Sequence, residues 1–476
     1  MMTASRWQPV IGLELHVQLN TRSKLFCSDE VAFGGEPNTR VSEISLGYPG
    51  TLPVLNKEAV RKAVLLGLAC GSNINTRFYF ERKNYTYPDL PKGYQLTQSR
   101  APVCEGGSIP VRAGDNYSKA VHLIRIQIEE DAGKSLHDVH DKYSALDFNR
   151  AGTALLEVVT RPEIYSPEEA GAVLAELRRI VRYLNISDGN MEEGSLRCDA
   201  NISLRPANSS ELGRRVEIKN LNSIRFLQQA LTYEIGRQME LLNRGEEVAQ
   251  ETRLFNPASG KTFAMRTKED LNDYRYFPEP DLPEVVLESS FIHELKSALP
   301  ELPAARYQRY VSEWHLPAAD AAVLVEEKEM ADLLDEVVHL GHHPRTAANW
   351  IVGPVRSGLN NTGLLTADRL SSIITLVEEG KVSFSVAAQQ LLPFIIRHPG
   401  YTASQAAQQL GIIQTASEDV ILPLVQAVLR DYPDKVKAYK NGKKGLAGFF
   451  MGEIQKRSAQ KTDPVRTREV LERLLR

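Results

Sequence analysis

Cysteine is scarce in this chain, with four in 476 residues: Cys27, Cys70, Cys104 and Cys198. They lie far apart with no paired spacing, which fits reduced thiols and excludes both a disulfide framework and a Cys-built zinc site. Long apolar runs are missing as well, and no window approaches the roughly 20 apolar residues of a membrane span. The opening MMTASRWQPVIGLELHVQL sets acids and a histidine inside its apolar stretch, so no signal or transit peptide is expected and the expected address is the cytoplasm. A phosphate-binding P-loop is absent too. DAGKS ends like one, but the place of the required first glycine is taken by Ile128.

What is present describes an ordinary globular protein, 42% hydrophobic and 25% charged, long enough for two or three domains. The net charge of -3 is unevenly spread. From Arg430 to the end there are 13 Lys and Arg against 6 Asp and Glu. A basic tail on an acidic body suits an end that meets phosphate, and equally suits a solvated helical surface.

Residues 1–290 mix short alternating runs with loops rich in Gly, Pro, Asn and Asp, which predicts an α+β domain on an antiparallel sheet. Two helices are expected to interrupt it. In SPEEAGAVLAELRRIVRYL, Ser166 caps, Pro167 suits the first turn, and Val173, Leu174, Leu177, Val181 and Leu184 form a stripe. The second is expected from about Ser223 to Asn243, ending at Gly245. After YFPEPDLPEV nearly every segment has helical period, giving a helical domain over 291–405 and a helical tail over 406–476.

Chemistry concentrates on one strand face. In VIGLELHVQL, Leu13, Leu15, Val17 and Leu19 alternate with Glu14, His16 and Gln18. In LIRIQIEED, Ile124, Ile126 and Ile128 are expected to face the core, opposed by Arg125, Gln127 and Glu129, with Glu130 and Asp131 following. RCDANISLR opposes Asp199, Asn201 and Ser203 to Cys198, Ala200, Ile202 and Leu204, and RRVEIKNLN opposes Glu217 and Lys219 to Val216 and Ile218. A sheet with one polar, acid-rich face results. Water is the commonest neighbour of such a face. Crowded like charges destabilise it, however, and Glu157 inside the apolar run ALLEVV needs a partner. A hard cation would satisfy Glu14, Glu129, Glu157 and Asp199 together, with an imidazole from His16, and this donor set suits magnesium.

Elsewhere, RKNYTYPDLPKGYQLTQ gathers Arg82, Lys83, Lys92, Asn84, Tyr85, Tyr87 and Tyr94 around two prolines. Cations and flat rings are what an unpaired RNA end requires, although a Pro-Tyr loop packed on its own domain has the same composition. DYRYFPEPDLP, residues 273–283, reads as a structural corner at the site edge, and His342-His343 as a helix terminus.

The motifs IGLELHVQL, SLGYPGTLPVLN, RKNYTYPDLPKGYQLTQ, EEDAGKS, MEEGSLRCDANISLR, EIKNLNS, DYRYFPEPDLP and KNGKKGLAGFFMG, in this order along essentially the whole chain, closely resemble the B-subunit family of bacterial aspartyl/glutamyl-tRNA amidotransferases. The resemblance implies a cradle-like first domain, a helical domain, and a tail that contacts the tRNA body. It implies ATP-dependent conversion of misacylated Glu-tRNA(Gln), and often Asp-tRNA(Asn), to the amide: the side-chain carboxylate is phosphorylated and ammonia displaces the phosphate. Ammonia would come from a separate amidase (glutaminase) subunit, braced by a small third subunit. The chain accordingly shows no Gly/Ser-rich amidase signature and no activated cysteine.

Carried over by position, the resemblance implies a magnesium site at Glu14, His16, Glu129, Glu157 and Asp199, with Glu130 beside it. Glu129, Glu130 and Asp199 are its catalytic candidates. It further implies ATP-phosphate contacts at Lys83 and Lys134, and contacts to the aminoacylated terminus at Tyr85 and Tyr87. Lys440, Lys443 and Lys444 are the expected tRNA-phosphate contacts of the tail. One departure stands out. Many members carry a four-cysteine zinc pattern whose places here read Cys27, Asp29, Ser42 and Ser45, and one thiol of four cannot hold a structural zinc, so none is expected. Two other readings remain open at this point: a noncatalytic tRNA-binding scaffold, and a free-standing metal-dependent phosphotransferase.

Overall fold

The computed structural model describes residues 6–114, 116–136, 139–140, 142–265, 274–357, 365–414, 417–458 and 462–476. Asp273, the first residue of the DYRYFPEPDLP segment, lies outside them. The chain forms two compact units, Met1–Arg306 and Tyr307–Arg476.

The first unit is built on a ten-stranded sheet. The strands that matter below are β1 (Trp7–Gln18), β2 (Asn73–Ile74), β3 (Glu81–Asn84), β4 (Tyr94–Thr97), β5 (Cys104–Glu105), β6 (Ser108–Ala113), β7 (Asn116–Glu130), β8 (Ala154–Thr160), β9 (Leu196–Pro206), β10 (Val216–Lys219), β11 (Glu251–Asn256), β12 (Lys261–Ala264) and β13 (Phe277–Pro278). Sheet order is β12-β11-β10-β9-β1-β8-β7-β5-β2, with β6 paired to β7, while β13, β3 and β4 form a separate three-stranded sheet. Strand β1 therefore lies near the middle, antiparallel to β8 and β9. One pair departs from the expected antiparallel pattern: β10 and β11 run parallel, because the helix between them returns the chain to its starting end.

Three helices pack on the apolar face: α1 (Lys57–Ala69), α2 (Pro167–Tyr183) and α3 (Ile224–Asn243). Helices α2 and α3 start where the caps place them. Ser166 accepts from the Glu169 N–H and Ser223 from the Phe226 N–H. Gly245 follows α3 with φ of 77°, the left-handed turn that ends a helix. The stripe Val173, Leu174, Leu177, Val181 and Leu184 is buried. Helix α1 is a correction to the two helices expected here. Asn56 caps it by accepting from the Glu58 N–H, and its buried positions include Ala59, Val60, Ala63, Val64, Leu65, Leu66 and Gly67. Apolar on so many sides, it lacks the one-sided period by which surface helices are recognised.

A second correction concerns Ile124. The β7–β8 register shifts between Val159 and Thr160: Val159 opposes Arg125, and Thr160 opposes Leu123. The extra residue reverses the alternation, so Leu123 enters the core and Ile124 is 45% exposed, while Ile126 and Ile128 stay buried as expected.

In the second unit, the described residues are helical apart from turns and connecting segments. Helices Glu418–Asp431, Leu446–Arg457 and Pro464–Leu475 enclose an apolar core of their own, including Ile421, Val425, Phe450, Ile454 and Leu471. His343 is a helix terminus as expected, its ring accepting from the Arg345 N–H at the start of Pro344–Trp350. His342 ties that turn to helix Ala367–Glu378, with Nε2 2.8 Å from Ser371 Oγ and Nδ1 3.1 Å from Glu378 Oε2.

Candidate metal and phosphoryl-transfer site

Register brings the polar residues of four strands into adjacent rows. On one side of β1, Glu157 opposes His16 and Gln127 opposes Glu157. On the other, Asp199 opposes Glu14 and Arg197 opposes His16. Three of these side chains, Glu14, His16 and Glu157, bring potential ligand atoms within 4.8 Å of one another. Glu129 joins them: its Oε1 lies 3.5 Å from His16 Nε2, and Glu14 Oε1 lies 3.8 Å from the same nitrogen.

The surroundings hold these groups in place. Gln127 Nε2 donates to Glu157 Oε2 at 2.9 Å and to Thr97 Oγ1 at 3.1 Å, and Thr97 Oγ1 in turn donates to Glu129 Oε2 at 3.3 Å. Arg125 reaches Glu157 Oε1 at 3.6 Å. Asp199 accepts from Lys219 Nζ at 2.8 Å, and that ammonium also meets Glu217 Oε1 at 2.8 Å.

Charge is left uncompensated at the centre. Burial, then the Glu157 and Asp199 charges, pushes the Glu14 carboxyl up to about 7. Burial and Glu157 push Glu129 up to about 8. His16 moves the other way, down to about 3, through burial and then the nearby Arg197 and Lys219 cations. Crowded acids that resist ionisation, beside an imidazole held neutral, form a site short of positive charge. A neutral imidazole and carboxylate oxygens are also the donor types that a divalent cation takes. The donor set therefore fits a magnesium ion.

With this geometry in view, the likeness to known proteins becomes specific. The family described as GatB/GatE catalytic domain matches residues 9–293, and the GatB domain matches 332–475. A protein of Thermodesulfovibrio yellowstonii, named as the B subunit of aspartyl/glutamyl-tRNA(Asn/Gln) amidotransferase, is 43% identical over 99% of this chain and 100% of its own length. Proteins of the same name from Salinibacter ruber and Nitrosococcus oceani are 45% and 44% identical, each over 99% of this chain and over 97% and 100% of their own lengths. The chain belongs to the amidotransferase B-subunit family. The carboxylate rows fall within the stretch that matches the family's catalytic domain.

Other residues that family membership pointed to are placed variously. Lys83 lies over the Tyr274 ring at 4.9 Å and over Tyr85 at 5.8 Å. Burial opposes its charge most strongly, but Glu129, Tyr276, Tyr274 and Glu157 together outweigh it and hold its pKa above the ordinary lysine value. The Tyr85 hydroxyl donates to Gln95 Oε1 at 3.3 Å, whereas Tyr87 is exposed. Glu130 leaves the cluster. Both its oxygens lie 2.5 Å from Lys92 Nζ, and one accepts from the Leu96 N–H at 3.1 Å. Lys134 is exposed on a short ribbon opposite Asp147, and no hydrogen bond or ion pair among the described residues joins it to the carboxylates. Lys440 ends the exposed helix Pro433–Lys440, and Lys443 and Lys444 occupy the exposed turn after it, with Lys444 Nζ over Tyr439 at 4.3 Å.

Alternation in the sequence puts Gln127 and Lys219 on the correct face without their partners. Thr97 carries no sequence signal, since only strand register brings it to Glu129, and Arg197 shares the Asp199 face by alternation without showing its place opposite His16. Among the described residues no helix is long and apolar enough to cross a membrane.

Proposed function

We propose that this chain is the amide-forming component of a tRNA-dependent amidotransferase. It would act on tRNA carrying a misattached glutamate or aspartate. The side-chain carboxylate attacks the γ-phosphorus of ATP and ADP leaves. Ammonia then attacks the acyl phosphate, phosphate leaves, and the carboxylate becomes an amide. The observation that carries this reading is the convergence of Glu14, His16 and Glu157 within 4.8 Å, with Glu129 beside them.

A magnesium ion bound there supplies neutralisation of the charge spread over the transferring phosphoryl group. Glu14, His16, Glu129 and Glu157 would hold it, with Asp199 in the neighbouring row. His16 contributes a neutral lone pair. Gln127 fixes the Glu157 carboxylate through Nε2, in the manner of the hydrogen-bonded partners that orient metal ligands. Lys83 faces Glu129 and would meet phosphate oxygens. Tyr85 and Tyr87 would flank the aminoacylated end of the RNA, and the tail lysines its body.

Ammonia would be delivered by a partner amidase (glutaminase), with a small third subunit completing the assembly; that the relatives are named as one subunit among others supports a multi-subunit enzyme. A division into a catalytic cradle, a helical domain and a tail from about 406 belongs to the same proposal, and the tail's separate apolar core supports it.

The test uses the complete complex with charged tRNA, ATP and either glutamine or ammonium. Glu157→Gln and Glu14→Gln are expected to lower kcat for amidation by roughly 10²–10³-fold with both nitrogen donors. Affinity for charged tRNA should be kept. Amidation at wild-type rate in both variants would refute the assignment.

A further inference from the structure

The zinc pattern implied by the family falls on Cys27, Asp29, Ser42 and Ser45, and in the structure the Cys27 and Ser45 side chains and the Ser42 backbone N–H converge on the Asp29 carboxylate. One Asp29 carboxylate oxygen accepts from the Ser42 backbone N–H at 2.9 Å and from the Ser45 hydroxyl at 2.6 Å, and Cys27 bonds to the same side chain. A zinc ion does not fit them. Only one of the four places offers a thiol, and hydroxyls are poor substitutes for thiolates. Asp29 Oδ2 is already engaged by the Ser42 N–H and the Ser45 hydroxyl.

The cation that is present is Lys24, whose side chain is 0% exposed. A buried ammonium is tolerated only when its protons are matched. Its Nζ donates to the Arg40 carbonyl oxygen at 2.8 Å and to that of Phe148 at 3.4 Å, and lies 3.7 Å from Asp29 Oδ2. Two carbonyl acceptors and one carboxylate thus surround the ammonium, two of them from residues 27–53 and one from Phe148. The Lys24 backbone N–H donates to Asp29 O at 3.0 Å, and the Arg40 N–H to Asn149 Oδ1 at 2.9 Å. Residues 27–53 contain no helix and no strand beyond a single bridge at Glu30. A stretch of that length in a compact domain needs fixing from outside its own backbone. Ser45, Gly47 and Tyr48 from it line a cavity of about 140 Å³ together with Lys92 and Glu130.

We infer that Lys24 is a metal-free clamp: its ammonium joins Asp29, Arg40 and Phe148 in place of a structural ion and so fixes residues 27–53 as one wall of the Lys92–Glu130 cavity. This stands independently of the reaction proposed above.

Zinc content, melting and limited proteolysis of the full-length chain test it. Wild-type protein is expected to carry no stoichiometric zinc and to melt at the same temperature with and without EDTA. Lys24→Met should lower the melting temperature by roughly 5–10 °C. It should also speed cleavage within 27–53 by about tenfold or more while the helices stay protected. Should Lys24→Met not fold, Asp29→Asn is expected to show the same selective cleavage in milder form. The decisive variant combines Asp29→Cys, Ser42→Cys and Ser45→Cys with the native Cys27. It is expected to bind one zinc and then to tolerate Lys24→Met with a loss below about 2 °C.

Stoichiometric zinc in the wild type would overturn the inference, as would unchanged melting and cleavage in Lys24→Met. A four-thiol variant that takes up no zinc would refute the convergence. If the zinc-loaded variant stayed fully sensitive to Lys24→Met, Lys24 would not be doing the ion's work.

Discussion

Gln127 is buried between Thr97 and Glu157, with Nε2 committed to both and Oε1 without a hydrogen-bond partner among the described residues. Replacing it by Leu keeps the volume and removes the donor that fixes Glu157. We expect Gln127→Leu to weaken magnesium binding by about 10–100-fold while leaving the fold intact, measured by metal titration of amidation activity alongside thermal melting. Unchanged metal dependence would remove Gln127 from the site.

The Glu14 and Glu129 carboxyls supply a pH prediction, being raised by burial first to about 7 and about 8 from an ordinary 4.5. Without a bound cation the folded chain keeps protons that the unfolded chain has released. Stability is therefore fullest below about pH 4.5 for these two groups, and is lost as pH rises toward 8. A divalent cation displaces the same protons, so its stabilising effect should grow over this window. Melting in EDTA should fall from pH 6 to pH 8, and the rise produced by magnesium should be larger at pH 8; a rise that is the same or smaller at pH 8 would contradict this linkage. At this scale the sequence reveals which acids share a face, because alternation in β1, β7 and β9 is regular around them. It does not reveal who holds whom: Thr97, Arg197 and Lys219 reach their partners through strand register, a tertiary property.

Among the elements, helix α1 shows tertiary packing outweighing local preference. Alanine normally stabilises a helix interior by about 1 kcal/mol over glycine. At Gly67, however, an added methyl would collide with Cys104 Sγ and Ile74 Cδ1. Overpacking of this kind costs about 1–3 kcal/mol. Gly67→Ala should therefore destabilise the first unit by a net of up to about 2 kcal/mol in denaturant unfolding, and stabilisation would show that β5 yields at no cost. The same closeness explains why α1 is hard to read in the sequence, whereas α2 and α3, with Ser caps and one apolar side, are legible. The bulge beside Ile124 belongs here too. A single extra residue inverts the face assignment of one apolar side chain, and no local pattern in LIRIQIEED announces it.

For the molecule as a whole, the basic tail offers a measurement that separates charge from shape. Neutralising Lys440, Lys443 and Lys444 together should weaken tRNA binding and reduce the slope of log affinity against log salt by about 2–3, near one for each lost phosphate contact. Far-UV dichroism should not change, because all three lie on exposed surface. Unchanged affinity and slope would exclude the tail as an RNA contact. Charge bookkeeping finds this end from sequence, but whether its cations meet phosphate or water is a property of the assembled complex.

The place of β1 in the sheet bears on how the protein is made. This strand leaves the ribosome before either of its sheet neighbours, Ala154–Thr160 and Leu196–Pro206. At about 5–20 residues per second, the nascent chain carries the LELHVQL ribbon with both edges unsatisfied for roughly 7–30 s, and with one edge unsatisfied until roughly 10–40 s. An apolar strand waiting that long is a template for aggregation. Glu14 and His16, spaced through it, interrupt the apolar run during the wait. The residues proposed to hold a cation would thus serve earlier as gatekeepers, and a chain in which they were made apolar would be expected to fail first by precipitating during synthesis.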